Sequence, residues 1–159
     1  MTVIESIGSQ NIERVVQFRI KQGADLLGAI EEAVQVENIR SGVIVSGLGA
    51  LRKAIFRNLK WFPDTFPPTP KDRLYLEVEQ PMELVSLVGW IAPKKDGGVE
   101  IHAHFSASTV ENDRIVTLGG HLTKGTICAI KTVVSILVIT DNSIYASHDD
   151  ATQSVDIFF

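Results

Sequence analysis

Hydrophobic and polar positions alternate in two different rhythms along the chain. Ile12 to Ile20 (IERVVQFRI) is rich in β-branched and aromatic residues and predicts a strand. Gly23-Ala24-Asp25 interrupts it and offers Asp25 as a helix N-cap. From there Leu26, Leu27, Ile30, Ala33 and Val34 recur at helical spacing, with Glu31 and Glu32 on the other face. The helix is expected to end near Glu37-Asn38. Gly42 to Ser46 (GVIVS) predicts a short buried strand, Gly47-Leu48-Gly49 a tight turn, and Ala50 to Leu59 a further strand.

Residues 61 to 70 (WFPDTFPPTP) hold four of the six prolines and cannot pair continuously as sheet, so they predict a loop. Trp61, Phe62 and Phe66 in that loop need a cover, which argues for an oligomer. The second half reads as strand at Leu74–Glu79, Glu83–Ile91, Val99–Ser108, Arg114–Leu118, Ile127–Thr140, Ser143–Ala146 and Ser154–Phe158. Turn residues separate the runs at Lys94 to Gly98, at Glu111-Asn112-Asp113 and at Asp141-Asn142-Ser143. Connections this short make sequential strands antiparallel. The expected fold class is α+β, a mostly antiparallel sheet with one main helix packed on it.

The length, 159 residues, fits a single domain spanning 1–159 with its core at about 12–147. A chain of this size buries roughly 68–70% of its unfolded surface on folding, so no disulfide is needed. None can form internally, because Cys128 is the only cysteine. Its apolar surroundings predict an inert buried thiol and fit a reducing compartment. No segment reaches the roughly 20 apolar residues of a membrane span, and the start lacks the pattern of a signal peptide. Soluble and cytoplasmic is the resulting expectation, with no membrane partner.

Chemistry concentrates in the histidines. His102 and His104 form an HxH pair, and on a strand positions i and i+2 share a face about 6.6 Å apart. If the following hairpin is centred on Asn112-Asp113, His104 lies directly opposite His121 on the same face. Three imidazoles could then converge on one divalent metal and leave its remaining positions open, as in catalytic sites. All-imidazole ligation suits zinc first, while nickel, iron and copper also accept it. Two alternatives stand beside this. A β-bulge at Gly119-Gly120 would send His121 to the opposite face. The histidines could also be half-buried strand residues bonded to carbonyls or water.

Glu83 opens an apolar strand and is a candidate catalytic acid/base beside the metal, or a salt-bridge partner at the strand end. His148 reads as a solvated loop residue with an option on a neighbouring subunit's site. Gly47-Leu-Gly49 matches only the first part of a dinucleotide fingerprint, with Arg52 in place of the third glycine.

Gly23-Ala-Asp25, Ser46-Gly-Leu-Gly-Ala-Leu51, Glu83-Leu-Val-Ser-Leu-Val-Gly89, His102-x-His104 and Gly119-Gly-His-Leu122 occur in the order of the plants-and-prokaryotes conserved (PPC) domain. The chain resembles that family from roughly Val15 to Ile139. The resemblance implies an α/β fold that assembles as a homotrimer, and a remote likeness to acetolactate decarboxylase, whose zinc is held by three histidines including an HxH pair. It also implies metal binding by prokaryotic members that keep these histidines. Relatives have a glutamate in the long strand where this chain reads Thr132-Val133-Val134, so that carboxylate's role does not carry over.

Members of the family that the chain resembles are often called predicted DNA-binding proteins with a PD1-like motif, and that reading meets a physical objection. Binding a duplex neutralises phosphates, whereas this chain carries a net charge of −4. Its densest basic stretch, Arg52-Lys53 to Lys60, alternates onto both strand faces. DNA is therefore not the expected partner. Two functional classes emerge: a metal-dependent enzyme or binder of a small carboxylate or carbonyl compound, and a DNA-associated regulatory module without catalysis.

Overall fold

The structure, a computed structural model, describes residues 3–140 and 144–159. Strand β1 covers Ile12–Ile20 and is followed by helix α1, Leu26–Val36. Asp25 starts the helix by accepting a hydrogen bond from the Gly28 N–H at 2.8 Å. Its second carboxylate oxygen accepts from the Gly125 N–H, tying the helix start to a distant loop. Leu26, Ile30 and Val34 form the buried stripe that the spacing predicts.

The next strand, β2, departs from expectation. It runs unbroken over Gly42–Leu59, where the sequence reads as two strands and a turn. The Gly47-Leu48-Gly49 turn is absent because Gly49 extends the strand at φ +154°, a conformation side chains rarely adopt. A Cβ at this position would also lie 2.6 Å from the Lys131 carbonyl oxygen. Gly49 lets neighbouring backbone approach and Gly47 makes room for the Leu87 and Leu84 side chains, rather than reversing the chain.

Strands β3 (Arg73–Val78), β4 (Met82–Pro93), β5 (Val99–Glu111) and β6 (Arg114–Leu122) follow. Then come β7 (Ile127–Cys128), β8 (Thr132–Ile139), β9 (Tyr145–Asp149) and β10 (Ser154–Phe158). The expected single strand from Ile127 to Thr140 is split, since Lys131 takes a positive φ of 41°. The turn expected at Asp141-Asn142-Ser143 lies outside the described residues, and the strand expected from Ser143 is seen from Tyr145. Loop 61–69 follows β2 with a short 3-10 turn at Pro70–Asp72, as the prolines predict.

Among the described residues, all pairings between these strands are antiparallel. The main sheet runs β1-β8-β2-β4-β5-β6, and β6 also pairs with β2. The sheet thereby closes on itself through β2, β4, β5 and β6. Inside this ring Phe56 and Phe105 stack with centroids 4.8 Å apart, joined in the core by Leu84, Leu87, Ala103 and Leu122. The helix buries its stripe in the same core. A smaller cluster of Ala92, Ile139, Ile144 and Ala146, with Val43, Trp90 and Ile157 against it, holds the β9–β10 hairpin in place.

Candidate metal centre

Alternation on β5 decides where its histidines point. Ala103, Phe105 and Ala107 are sealed in the core, so His102 and His104 face outward. The β5–β6 hairpin turns at Asn112 and Asp113, both at positive φ, and its register pairs His104 with His121. No bulge intervenes: Gly119 and Gly120 pair in step with Ser106 and Phe105. His121 therefore emerges on the face of the other two.

Gly120 has a role in this. A Cβ there would lie 3.0 Å from both the Arg57 carbonyl oxygen and the Asn58 side chain. Its absence lets β6 close against β2, where Arg57 pairs with His121. Asn58 Nδ2 secures the same junction by donating to the Gly119 carbonyl at 2.8 Å.

The three rings lie with centroids 4.7, 5.1 and 5.2 Å apart. His102 Nε2 and His104 Nε2 are 3.1 Å apart, and one ligand nitrogen from each of the three falls within 4.8 Å of the others. Two nitrogens on a tetrahedral zinc, each at 2.0–2.1 Å, would be separated by about 3.3 Å. The donor set fits such an ion after small ring rotations. Among the described residues none of the three imidazoles bonds a backbone carbonyl.

Electrostatics favour the neutral, metal-ready form. Burial first, then the Arg57 charge and the neighbouring His102, His104 and Arg73, push the His121 pKa down to about 3. Burial likewise lowers the His104 pKa, assisted by His102 and Arg57. Metal binding requires unprotonated imidazole, so low basicity here reduces competition from protons.

Other expected residues stand elsewhere. Glu83 pairs with Ser108 on β5, four residues from His104, or about 13 Å along the strand. One chain does not bring it to the trio. His148 lies on β9, 3.6 Å from Asp150, also away from the trio. Cys128 is buried and its thiol pKa is pushed up by that burial, as an inert core thiol requires. Thr132 is buried with its hydroxyl 3.4 Å from the Ala50 carbonyl.

Sequence reasoning missed Arg57, Arg73 and Trp90 as neighbours of the histidines. Arg57 faces His121 across β2–β6, and Trp90 faces His102 across β4–β5. The basic stretch around Arg57 is visible in the sequence, but nothing local reveals that β6 returns to β2.

A family profile described as the Plants and Prokaryotes Conserved (PCC) domain matches residues 7–141. Similar solved structures include a metal-containing protein from Archaeoglobus fulgidus, 22% identical, covering 93% of this chain and 95% of the other at TM-score 0.72. A plant- and prokaryote-conserved (PPC) protein from Pyrococcus horikoshii is 23% identical over 94% and 95%, at TM-score 0.74. A candidate DNA-binding protein from Bacteroides thetaiotaomicron is 20% identical over 94% and 95%, at TM-score 0.72. No functionally curated protein matches the chain. At these identities the likeness establishes the fold.

Proposed function

The chain belongs to the Plants and Prokaryotes Conserved (PCC) domain family, and we propose that it holds one divalent ion, zinc by ligand chemistry, between His102, His104 and His121. With that ion it binds or transforms a small molecule bearing a carboxylate or carbonyl. The observation that carries this reading is the convergence of three imidazoles on one face of a hairpin. The metal-containing description of the Archaeoglobus protein of the same fold supports it.

When bound, the ion supplies Lewis acidity toward a ligand oxygen or a water. The chain's own residues do the rest. His102, His104 and His121 occupy one side and leave the outward side open to the ligand. Arg57, opposite His121, and Arg73, whose charge also acts on it, offer a positive pole to an anionic head group. Glu83 serves as acid/base only if a neighbouring subunit carries it to the ion.

A homotrimer is part of this proposal. Leu48 and Val133 pair across β2 and β8 on the outer face of the sheet. Leu48 is 71% exposed, and Val85 nearby on β4 is exposed as well. Second and third copies of the chain would cover them.

DNA association gains no support from charge placement. Lys53 is paired with Glu77 at 2.7 Å, Lys60 lies over the Trp61 ring, and Arg57 faces His121. These cations do not form a stripe along a backbone. Metal analysis of the purified protein beside a His102→Ala/His104→Ala/His121→Ala variant tests the central reading. About one zinc per chain, lost in the folded triple variant, is expected. Equal and negligible metal in both would refute it.

A further inference from the structure

His102 and His104 line one end of a groove of about 620 Å³. Its floor is made of cross-strand rows that begin at the histidines. His102 pairs with Trp90 and Trp90 with Val43; His104 pairs with Val88, and Val45 lines the same floor from β2. Two strand spacings separate β5 from β2, about 9.5 Å of floor. That span accommodates a six-membered ring on a short spacer. No floor residue carries a charge.

The wall comes from the C-terminal hairpin. Ile157 of β10 packs, with Val43 and Trp90, against the Ala92–Ile144 cluster, and Phe159 meets Trp90 edge-on, with centroids 5.4 Å apart and planes at 74°. Phe159 stays 41% exposed, so it keeps ring surface for a further contact. This wall lies beyond residues 7–141, the part of the chain that the family profile covers. It stands where it shapes access to the histidines.

Charge gives the groove a direction. Among the described residues Asp156 is the one acidic side chain lining it, on the hairpin, while Arg57 and Arg73 lie at the histidine end. An anionic head would be drawn to the trio and repelled from the hairpin. We propose that the groove selects acids or carbonyl compounds with an aromatic or bulky apolar tail. The head goes to the ion, the tail lies over Val88 and Trp90, and Phe159 is a specificity-determining residue. This rests on the metal reading above and names its ligand class.

The test uses the zinc-loaded full chain with Trp61→Phe, so that emission reports Trp90, the one tryptophan left. Acetohydroxamate and 3-phenylpropanohydroxamate are titrated as metal-directed probes that differ in the tail. The aryl probe should bind about tenfold or more tighter, consistent with burying a ring. Phe159→Ala should reduce that preference to within about threefold with zinc content unchanged. Val88→Asn, on the floor, provides a second route to the same loss. Equal affinity for the two probes, or a preference that survives both variants, would overturn the inference alone. Failure to retain zinc at all would overturn the metal reading and this one with it, and metal analysis tells the two failures apart.

Discussion

Adjacent residues on β5 lead opposite lives. Ala103, Phe105 and Ala107 are sealed inside the closed ring, where Phe105 stacks on Phe56. His102 and His104, one position out of phase, face outward and meet His121. The inner face needs volume and shape, and supplies the energy that fixes register. The outer face bears little packing load and is free to carry chemistry. A slip of one residue would exchange the two sets, so the core is what keeps the imidazoles together.

Breaking the inner face should have the largest effect. Phe105→Ala removes the stacked ring from a buried site and is expected to cost about 3–5 kcal/mol of stability, measured by chemical denaturation. Zinc retention should fall with it, because β5 and β6 lose their common support.

The junction between the faces comes next. Gly120→Val would press a side chain on the Arg57 carbonyl and Asn58, at an expected cost of about 1–3 kcal/mol. Because β6 must back away from β2, His121 should move and zinc affinity should drop even where the protein stays folded. Unchanged affinity by competition with a chelator would mean that the close approach does not position the site.

The outer face should respond in the reverse manner. His104→Ala is expected to reduce zinc affinity by more than about tenfold through loss of one of three ligands. Stability of the metal-free protein should change by less than about 0.5 kcal/mol, as for other outward positions.

Acidity offers a finer probe. His121 has a folded pKa of about 3, below the ordinary value of 6.5. The unfolded chain therefore binds more protons between those values, and metal-free stability should decline as pH falls from about 6.5 toward 3. His121→Asn should flatten that decline in denaturation curves taken across the same range. A slope that persists unchanged would assign it to other groups.

Much of this was legible because it is local. Asp25 caps the helix that its neighbours predict, β1 spans Ile12–Ile20 as read, and Asn112-Asp113 sets the register that pairs His104 with His121. Where local signals stop, so did the reading. Gly47 and Gly49 look like turn residues, but they serve the close approach of β4 and β8 to one long strand. The Arg57–His121 pairing joins segments far apart in sequence, and no periodicity in either announces it. The same holds for Phe159 against Trp90, which depends on how the C-terminal hairpin folds back onto β4. Glu83 lies on the strand its apolar neighbours predict, but distance along β4 keeps it from the trio within one chain.

The most direct measurement is an anomalous-difference map from crystals of the zinc-loaded protein. The account predicts one peak per chain on the outer face of the β5–β6 hairpin, about 2.0–2.1 Å from a nitrogen of each of His102, His104 and His121. A map with no peak there, or an ion held by other residues while these imidazoles stand apart, would contradict it.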